Sequence, residues 1–364
     1  MLVSSMVKLF GVVKRDSDRY YLVFLFLVIF LFSHCSKSIP SDCDTITPLF
    51  LSSTFPIGVA VDDLLLNNDT LYLKTFLSQF NSATAENIFK PAYLHPEENL
   101  YNWNDADKLL KLCSDHNIRL HGHTLIWHQQ NPLWMENFQG TQQAWDAMMK
   151  LHIYTIVSYF KQTVHSWDVV NEAFNDDGSL RNTIWLKHIG PSYIEKAFQY
   201  AHEVNPEATL FYNDFNLETK PIKRKAVLQF LYNLKAKGVP IDGIGMQMHI
   251  NIKYDDISMI ESAIQDIVNQ HYIVHLSEVD ISLNPFGDDY ILQQNDLEAQ
   301  AILMYKIVRA YKNIPSRQQF GITIWGISDQ YSWIRNYYNR KDYPLLFDEN
   351  FNPKPVYCQL KRAL

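Results

Sequence analysis

The chain is poor in cysteine, with four in 364 residues, and it has no excess of positive charge and no apolar run of membrane-spanning length. Each shortage excludes something. Four cysteines do not make a small disulfide-built scaffold. With 32 Lys and Arg against 39 Asp and Glu the formal charge is −7, so nucleic acid is not an expected partner. The longest apolar run, YYLVFLFLVIFLF at 20–32, has thirteen residues, short of the roughly 20 that a spanning helix needs. Beyond it no Pro-, Ser- or Gly-rich linker and no low-complexity stretch divides the chain, and one large domain is the economical reading.

That short run follows Lys8, Lys14, Arg15 and Arg19, which makes it the apolar region of an export signal. Directly after it, FSHCSK puts Cys35 where a lipoprotein signal carries its acylated cysteine, although His34 is larger than the small residue such sites want. Acylation of Cys35, plain cleavage with release, and an uncleaved anchor all stay open. Removing residues 1–34 takes away four basic and two acidic residues, which moves the formal charge from −7 to −9. Cys113, on the apolar face of DADKLLKLCSDH, is expected as a buried free thiol. Cys43 and Cys358 flank the folded region and could bridge if the termini meet.

What is present is a rhythm. Eight short apolar runs recur: FPIGVA (55–60), FNSATAEN (80–87), IRLHGHTL (118–125), VHSWDVVNE (164–172), TLFYNDF (209–215), IDGIGMQMH (241–249), IVHLSEVDI (273–281) and GITIWGI (321–327). Between them lie helical patterns such as PIKRKAVLQFLYNLKAKG (221–238), apolar every three to four positions and stopped by Gly238. Strand and helix alternating eight times is the pattern of an α/β fold, a (β/α)8 TIM barrel, whose active site lies at the carboxyl ends of the strands.

Unusual residues collect at those ends. The second run closes on Glu86 and Asn87, the third on His123, Trp127 and His128, and the fourth on Asn171 and Glu172. The fifth closes on Asn213, Asp214 and Phe215, the sixth on Gln247 and His249, the seventh on Glu278 and Asp280, and the eighth on Trp325. Either glutamate alone would pass for a surface residue at a strand end. Asn171 beside Glu172 and Asp280 near Glu278 tilt the reading, because polar clusters at strand mouths are costly unless solvated or functional. Carboxylates, amides, imidazoles and tryptophans around one mouth suit a carbohydrate.

From about Phe55 to Leu364 the chain resembles the xylanases of glycoside hydrolase family 10. The resemblance rests on NSATAENIFKP (81–91), HGHTLIWHQQNP (121–132), WDVVNEAF (167–174), FYNDFN (211–216), GVPIDGIGMQMHIN (238–251), HLSEVDI (275–281) and TIWGISDQYSW (323–333), in the family's order. It implies a retaining endo-1,4-β-xylanase that cuts internal β-1,4 linkages by double displacement, with no metal and no cofactor. Glu172 would be the acid/base and Glu278 the nucleophile. Asn171 would bind the 2-hydroxyl of the sugar at the cleavage point, and Gln247 and His249 would stand beside the nucleophile. His123, Trp127 and Gln130 would line the same subsite, Glu86, Asn87 and Lys90 the next sugar toward the non-reducing end, and Trp325 and Trp333 would cap that side. His128 and Asp168 would be supports. Phe215 stands where the family commonly has tyrosine on the leaving-group side, so one hydroxyl is missing there.

The implied organisation is a signal peptide at 1–34, a short tether at 35–50 and a catalytic barrel at 51–364. The expected location is the cell surface, as an outer-membrane or other lipoprotein held through a lipidated Cys35, or else secreted. Xylan and xylo-oligosaccharides are the expected partners, and a monomer the expected state. Two rival readings stand against this one. His121 and His123 form a His-x-His pair that His249, His275 and Asp329 could complete as a metal site, but on the third strand rather than the first. A glycan-binding protein that has lost turnover fits poorly with both carboxylates in place.

Overall fold

The computed structural model describes residues 43–44, 46–287 and 290–364, so the signal segment 1–34 and Cys35 lie outside the described residues. Nine strands are present among them: β1 (Ile57–Val61), β2 (Ser82–Ala85), β3 (Arg119–Ile126), β4 (Ser166–Asn171), β5 (Thr209–Asp214), β6 (Gly243–Met246), β7 (His249–Asn251), β8 (Ile273–Ser282) and β9 (Gln319–Ile324). Eight close a parallel barrel, β1 to β6 in sequence, then β8 and β9, with β9 pairing back to β1. Closure leaves no free edge among the eight.

The strands form where the sequence places β-branched and small apolar residues between turn signals. β1, IGVAV, is buried along its whole length, as expected of a strand covered on both faces. The helices supply the cover. In Ile257–Asn269 the residues Ile260, Ala263, Ile264, Ile267 and Val268 are buried, one face of a 3.6-residue period, and the Asp256 carboxylate caps the start by accepting from the Ser258 N–H at 2.9 Å. Each such isoleucine contributes about 1.5–3 kcal/mol, so a charge at Ile264 would detach the helix.

All eight runs become strands of the barrel, with one difference. The sixth divides into β6 and the three-residue β7, which pairs with the outer end of β8. Met248 turns the chain between them with φ of +64°.

Ahead of β1 the chain is packed rather than loose. Leu49 is fully buried and its N–H reaches Gln79 Oε1 at 3.3 Å. Cys43 is disulfide-bonded to Cys358 in the helix Pro355–Ala363, and Lys361 Nζ of that helix holds the Thr47 carbonyl at 2.7 Å. The described part of the segment expected as a tether, 43–44 and 46–50, is therefore stapled to the last helix. Cys113 is buried in the helix Asn104–Asp115 as a free thiol, and burial pushes it up to about 12.

Candidate active site

Strand register decides which side chains meet at the carboxyl end of the barrel. Asn171 of β4 lies opposite Asn213 of β5, and Asn213 opposite Gly245 of β6. Gly245 must lack a side chain, because a Cβ there would stand 2.2 Å from Asn213 Oδ1. With that space open, Asn213 Nδ2 donates to Asn171 Oδ1 at 2.9 Å and to Glu278 Oε1 at 2.7 Å, while its Oδ1 accepts from Ser277 Oγ at 2.7 Å. Both N–H donors and one of the two acceptor positions of this amide are in use, which fixes its orientation.

Glu172 follows β4 with φ of +56°. A left-handed non-glycine residue costs roughly 1 kcal/mol or more and persists only where its surroundings hold it. Here its N–H donates to the Asn213 carbonyl at 2.8 Å, and its carbonyl accepts from Arg181 Nε at 2.9 Å. The carboxylate is thereby turned into the cleft. Its Oε1 accepts from Gln247 Nε2 at 3.0 Å and Asn171 Nδ2 at 3.2 Å. Gln247 also donates to Asn171 Oδ1 at 3.2 Å, so one network of three amides joins Glu172 to Glu278.

Glu278 sits near the middle of β8 and is 5% exposed. Its Oε2 accepts from His249 Nε2 at 3.1 Å, and His249 Nδ1 donates to Asp280 Oδ2 at 2.9 Å. Burial works against a charge on His249, but the Asp280 carboxylate, then Glu278, outweigh it and hold the ring well above the ordinary histidine range, as imidazolium. Burial likewise pushes Glu278 up, and the His249 hydrogen bond, the His123 and His249 charges and the Asn213 amide together bring it below its usual value. The nucleophile expected from the sequence is thus an ionised, immobilised carboxylate. The Trp333 indole N–H donates to the same Asp280 Oδ2 at 2.8 Å, tying an aromatic wall to this chain of charges.

A second relay sits on β3 and β4. Asp168 Oδ2 takes His123 Nδ1 at 2.9 Å, and Oδ1 lies 3.2 Å from His121 Nε2. Burial pushes Asp168 up, but His121 and then His123 more than compensate and hold it well below the carboxylate range. Asp168 thus holds the His123 ring through Nδ1 and leaves its Nε2 for the cleft. His128 Nδ1 is 3.7 Å from Glu172 Oε2, and burial lowers its affinity for a proton.

The open cleft above these groups has a volume of about 690 Å³. Both glutamates and all twelve residues expected to bind substrate line it: Glu86, Asn87, Lys90, His123, Trp127, Gln130, Asn171, Phe215, Gln247, His249, Trp325 and Trp333. Burial drives Glu86 up to about 7 against the pull of Lys90, whose Nζ reaches Asn87 Oδ1 at 3.3 Å and lies 5.1 Å from the Trp127 ring. Under Phe215 the buried ion pair Lys223–Asp214, 2.7 Å, places an ammonium 3.8 Å from the ring centre. The cleft also takes in Gln129, Asn216, Asn336, Tyr337 and Tyr338, which sequence reasoning missed. The tyrosines carry a signal that could have found them, an aromatic pair one helical turn past Trp333.

The residues a metal site would have used are engaged with other partners. His121 bonds Ser166 Oγ at 2.8 Å, His275 bonds Thr323 Oγ1 at 2.8 Å, and Asp329 pairs with Lys354 at 2.8 Å. Among the described residues no group of three or more His, Cys, Asp or Glu side chains is arranged so that it could hold a metal ion.

Residues 48–363 match the family model described as Glycosyl hydrolase family 10. The chain is 36% identical over 345 residues to endo-1,4-beta-xylanase A of Thermoanaerobacterium saccharolyticum, covering 91% of this chain and 29% of that longer protein. It is 39% identical over 333 residues to endo-1,4-beta-xylanase of Geobacillus stearothermophilus, covering 87% of this chain and 99% of the relative. Among solved structures, xylanase 10B from Thermotoga petrophila in complex with xylobiose superposes with a TM-score of 0.82 at 34% identity, over 88% of this chain and 97% of that one. The chain therefore spans less than a third of one curated relative and nearly the whole of another.

Proposed function

This chain belongs to glycosyl hydrolase family 10, and on that premise we propose that it is a retaining endo-1,4-β-xylanase. The observation that carries the reading is the different setting of two glutamates joined by one amide network. Glu278 has both oxygens held by donors, one of them an imidazolium, which keeps it ionised for attack on the anomeric carbon. Glu172 has one oxygen on the Gln247 and Asn171 amides, with Oε2 toward His128 and the cleft.

In the first half-reaction Glu278 forms an ester to the sugar as Glu172 protonates the departing oxygen. In the second, Glu172 takes a proton from water, which opens the ester with a second inversion. Asn171 retains one amide hydrogen beyond its bond to Glu172, enough to meet the 2-hydroxyl as charge develops on the ring. The xylobiose complex of the Thermotoga petrophila relative supports a xylan chain as the ligand. Proton NMR of the first product released from xylo-oligosaccharides tests the mechanism. The β-anomer appears first if the configuration is retained, and an α-anomer first would overturn it.

The same reading extends to the cell. The signal at 1–34, the tether beginning at Cys35 and the barrel from 51 describe an exported enzyme, acylated at Cys35 and working as a monomer at the surface. Fractionation with a Cys35→Ala variant tests this, the variant moving from the membrane to the soluble fraction; an unmoved distribution contradicts acylation.

A further inference from the structure

Past β4 the chain doubles back on itself. NDDGS (175–179) makes the turn: Gly178 takes φ of +85°, the Asp177 carboxylate accepts from the Ser179 N–H at 2.9 Å, and Phe174 bridges Leu180 in antiparallel register. The returning chain lays the half-buried Arg181 along Glu172, Ala173 and Phe174. Its Nε donates to the Glu172 carbonyl at 2.9 Å, its backbone N–H to the Ala173 carbonyl at 2.8 Å and its Nη2 to the Phe174 carbonyl at 3.0 Å. One residue holds all three carbonyls. The N–H groups of the segment go to β5 instead. That of Glu172 meets the Asn213 carbonyl at 2.8 Å, and that of Ala173 meets Tyr212 Oη at 3.1 Å. The Tyr212 hydroxyl donates in turn to Asp214, which pairs with Lys223 at 2.7 Å, and all three side chains are fully buried. Both supports end on one ring. The Lys223 ammonium lies 3.8 Å and the Arg181 guanidinium 5.5 Å from the centre of Phe215, the aromatic on the leaving-group side.

We propose that Arg181 is a positioning residue for proton transfer between Glu172 and the leaving sugar, a role that rests on the xylanase reading above. Glu172 is left-handed at φ of +56° and keeps that backbone only while its surroundings hold it. Freed at its carbonyl, the residue relaxes and its carboxyl moves off the oxygen it must protonate, a misplacement to which catalysis is steeply sensitive. The geometry requires a forked donor. Nε and Nη2 of one planar guanidinium reach two carbonyls that stand two residues apart, whereas an ammonium is a single point. Contact with Phe215 puts the acid and the ring beneath the leaving sugar on the same support. Glu278 is held by His249 and Asn213, so its attack on the anomeric carbon does not draw on Arg181.

The test compares xylotetraose, whose leaving oxygen needs a proton, with a dinitrophenyl β-xylobioside, whose phenolate departs without one. Arg181→Met is expected to lose roughly 10- to 100-fold in kcat/KM on xylotetraose and less than about twofold on the aryl glycoside. On the aryl glycoside its kcat falls, because water must still give up a proton to open the Glu278 ester. Azide restores that kcat: its nitrogen bonds the anomeric carbon as the ester C–O bond breaks, Glu278 leaves as carboxylate, and no proton moves. Arg181→Lys keeps the charge but not the fork, and is expected to stay near Arg181→Met on xylotetraose. Tyr212→Phe removes only the hydroxyl that meets the Ala173 N–H. It is expected to show the same split at smaller size, and it decides the matter if Arg181→Met does not fold. Equal losses on the two substrates, no loss on either, or full recovery in Arg181→Lys would overturn the proposal. Glu172→Ala is the reference. If it shows no such split the acid/base assignment itself fails, and a parent inactive on both substrates sinks the xylanase reading and this role with it.

Discussion

Replacing Asp280 with asparagine removes one charge and little else. Asp280 Oδ2 accepts both His249 Nδ1 at 2.9 Å and Trp333 Nε1 at 2.8 Å, and an asparagine oxygen in the same place can keep both contacts. What disappears is the main influence that holds His249 above the ordinary histidine range. Without it the ring titrates to neutrality at lower pH, and Glu278 loses a charged donor that holds it below its usual value. A hydrogen bond to a charged group contributes about 1.5–3 kcal/mol, which corresponds to roughly a 10- to 100-fold loss in kcat/KM. The loss should be largest on the acidic side, because Glu278 must be ionised to attack, so the acidic limb of the pH–rate profile moves to higher pH. Trp333→Phe serves as the control. It cuts the indole contact but leaves the carboxylate, and should weaken binding with the limb in place. An Asp280→Asn profile with an unmoved acidic limb would refute the claim that this charge relay sets the nucleophile.

Other parts of the structure make equally concrete demands. Gly245→Ala drives a methyl into Asn213 Oδ1; overpacking of this kind costs about 1–3 kcal/mol, and activity should fall further than urea stability, whereas equal losses would argue against a catalytic role for Asn213. His152 is fully buried, and burial first and then His95, whose Nδ1 is 2.9 Å away, push it down to about 3. The unfolded chain keeps a histidine near 6.5 and binds the proton that the fold refuses, so this stability is complete above about pH 6.5 and declines by about 1.4 kcal/mol per unit toward pH 3. Urea midpoints of His152→Gln should show a shallower acid decline than the parent, and parallel declines would contradict this. The Cys43–Cys358 bridge closes a loop of 315 residues; Cys43→Ser is expected to cost about 2–5 kcal/mol, read as a lower urea midpoint, and an unchanged midpoint would mean that Leu49 and Lys361 hold the end alone. Phe215→Tyr returns a hydroxyl to the leaving-group side and should lower KM for longer oligosaccharides by roughly two- to tenfold, about 0.5–1.5 kcal/mol, with no fall expected if the new group meets only Lys223.

How far the sequence could be read follows from the range of each interaction. The barrel was legible because strand and helix periods are local, and FPIGVA or GITIWGI need only their own neighbours to be recognised. Glu172 was legible for the same reason, following directly on such a run, and Glu278 because it interrupts one, inside β8. The linkage between them was not. It depends on Asn213 reaching across two strand interfaces into space that Gly245 leaves empty, and neither register nor side-chain direction is written in one segment. The division between β6 and β7 was hidden in a single left-handed residue, Met248. Tyr337, Tyr338 and Asn336 reach the cleft only because the helix Trp333–Tyr338 folds back over it, a loop-borne placement that strand patterning does not carry.

On the proposed function, Glu278 and Glu172 cut internal bonds of a β-1,4-xylan chain. Release of new reducing ends from unsubstituted xylan, followed together with viscosity for the parent protein and for Glu278→Ala, tests it most directly. A steep fall in viscosity at low reducing-end yield is expected for the parent and none for the variant, whereas equal release by both, or none by either, would contradict that function.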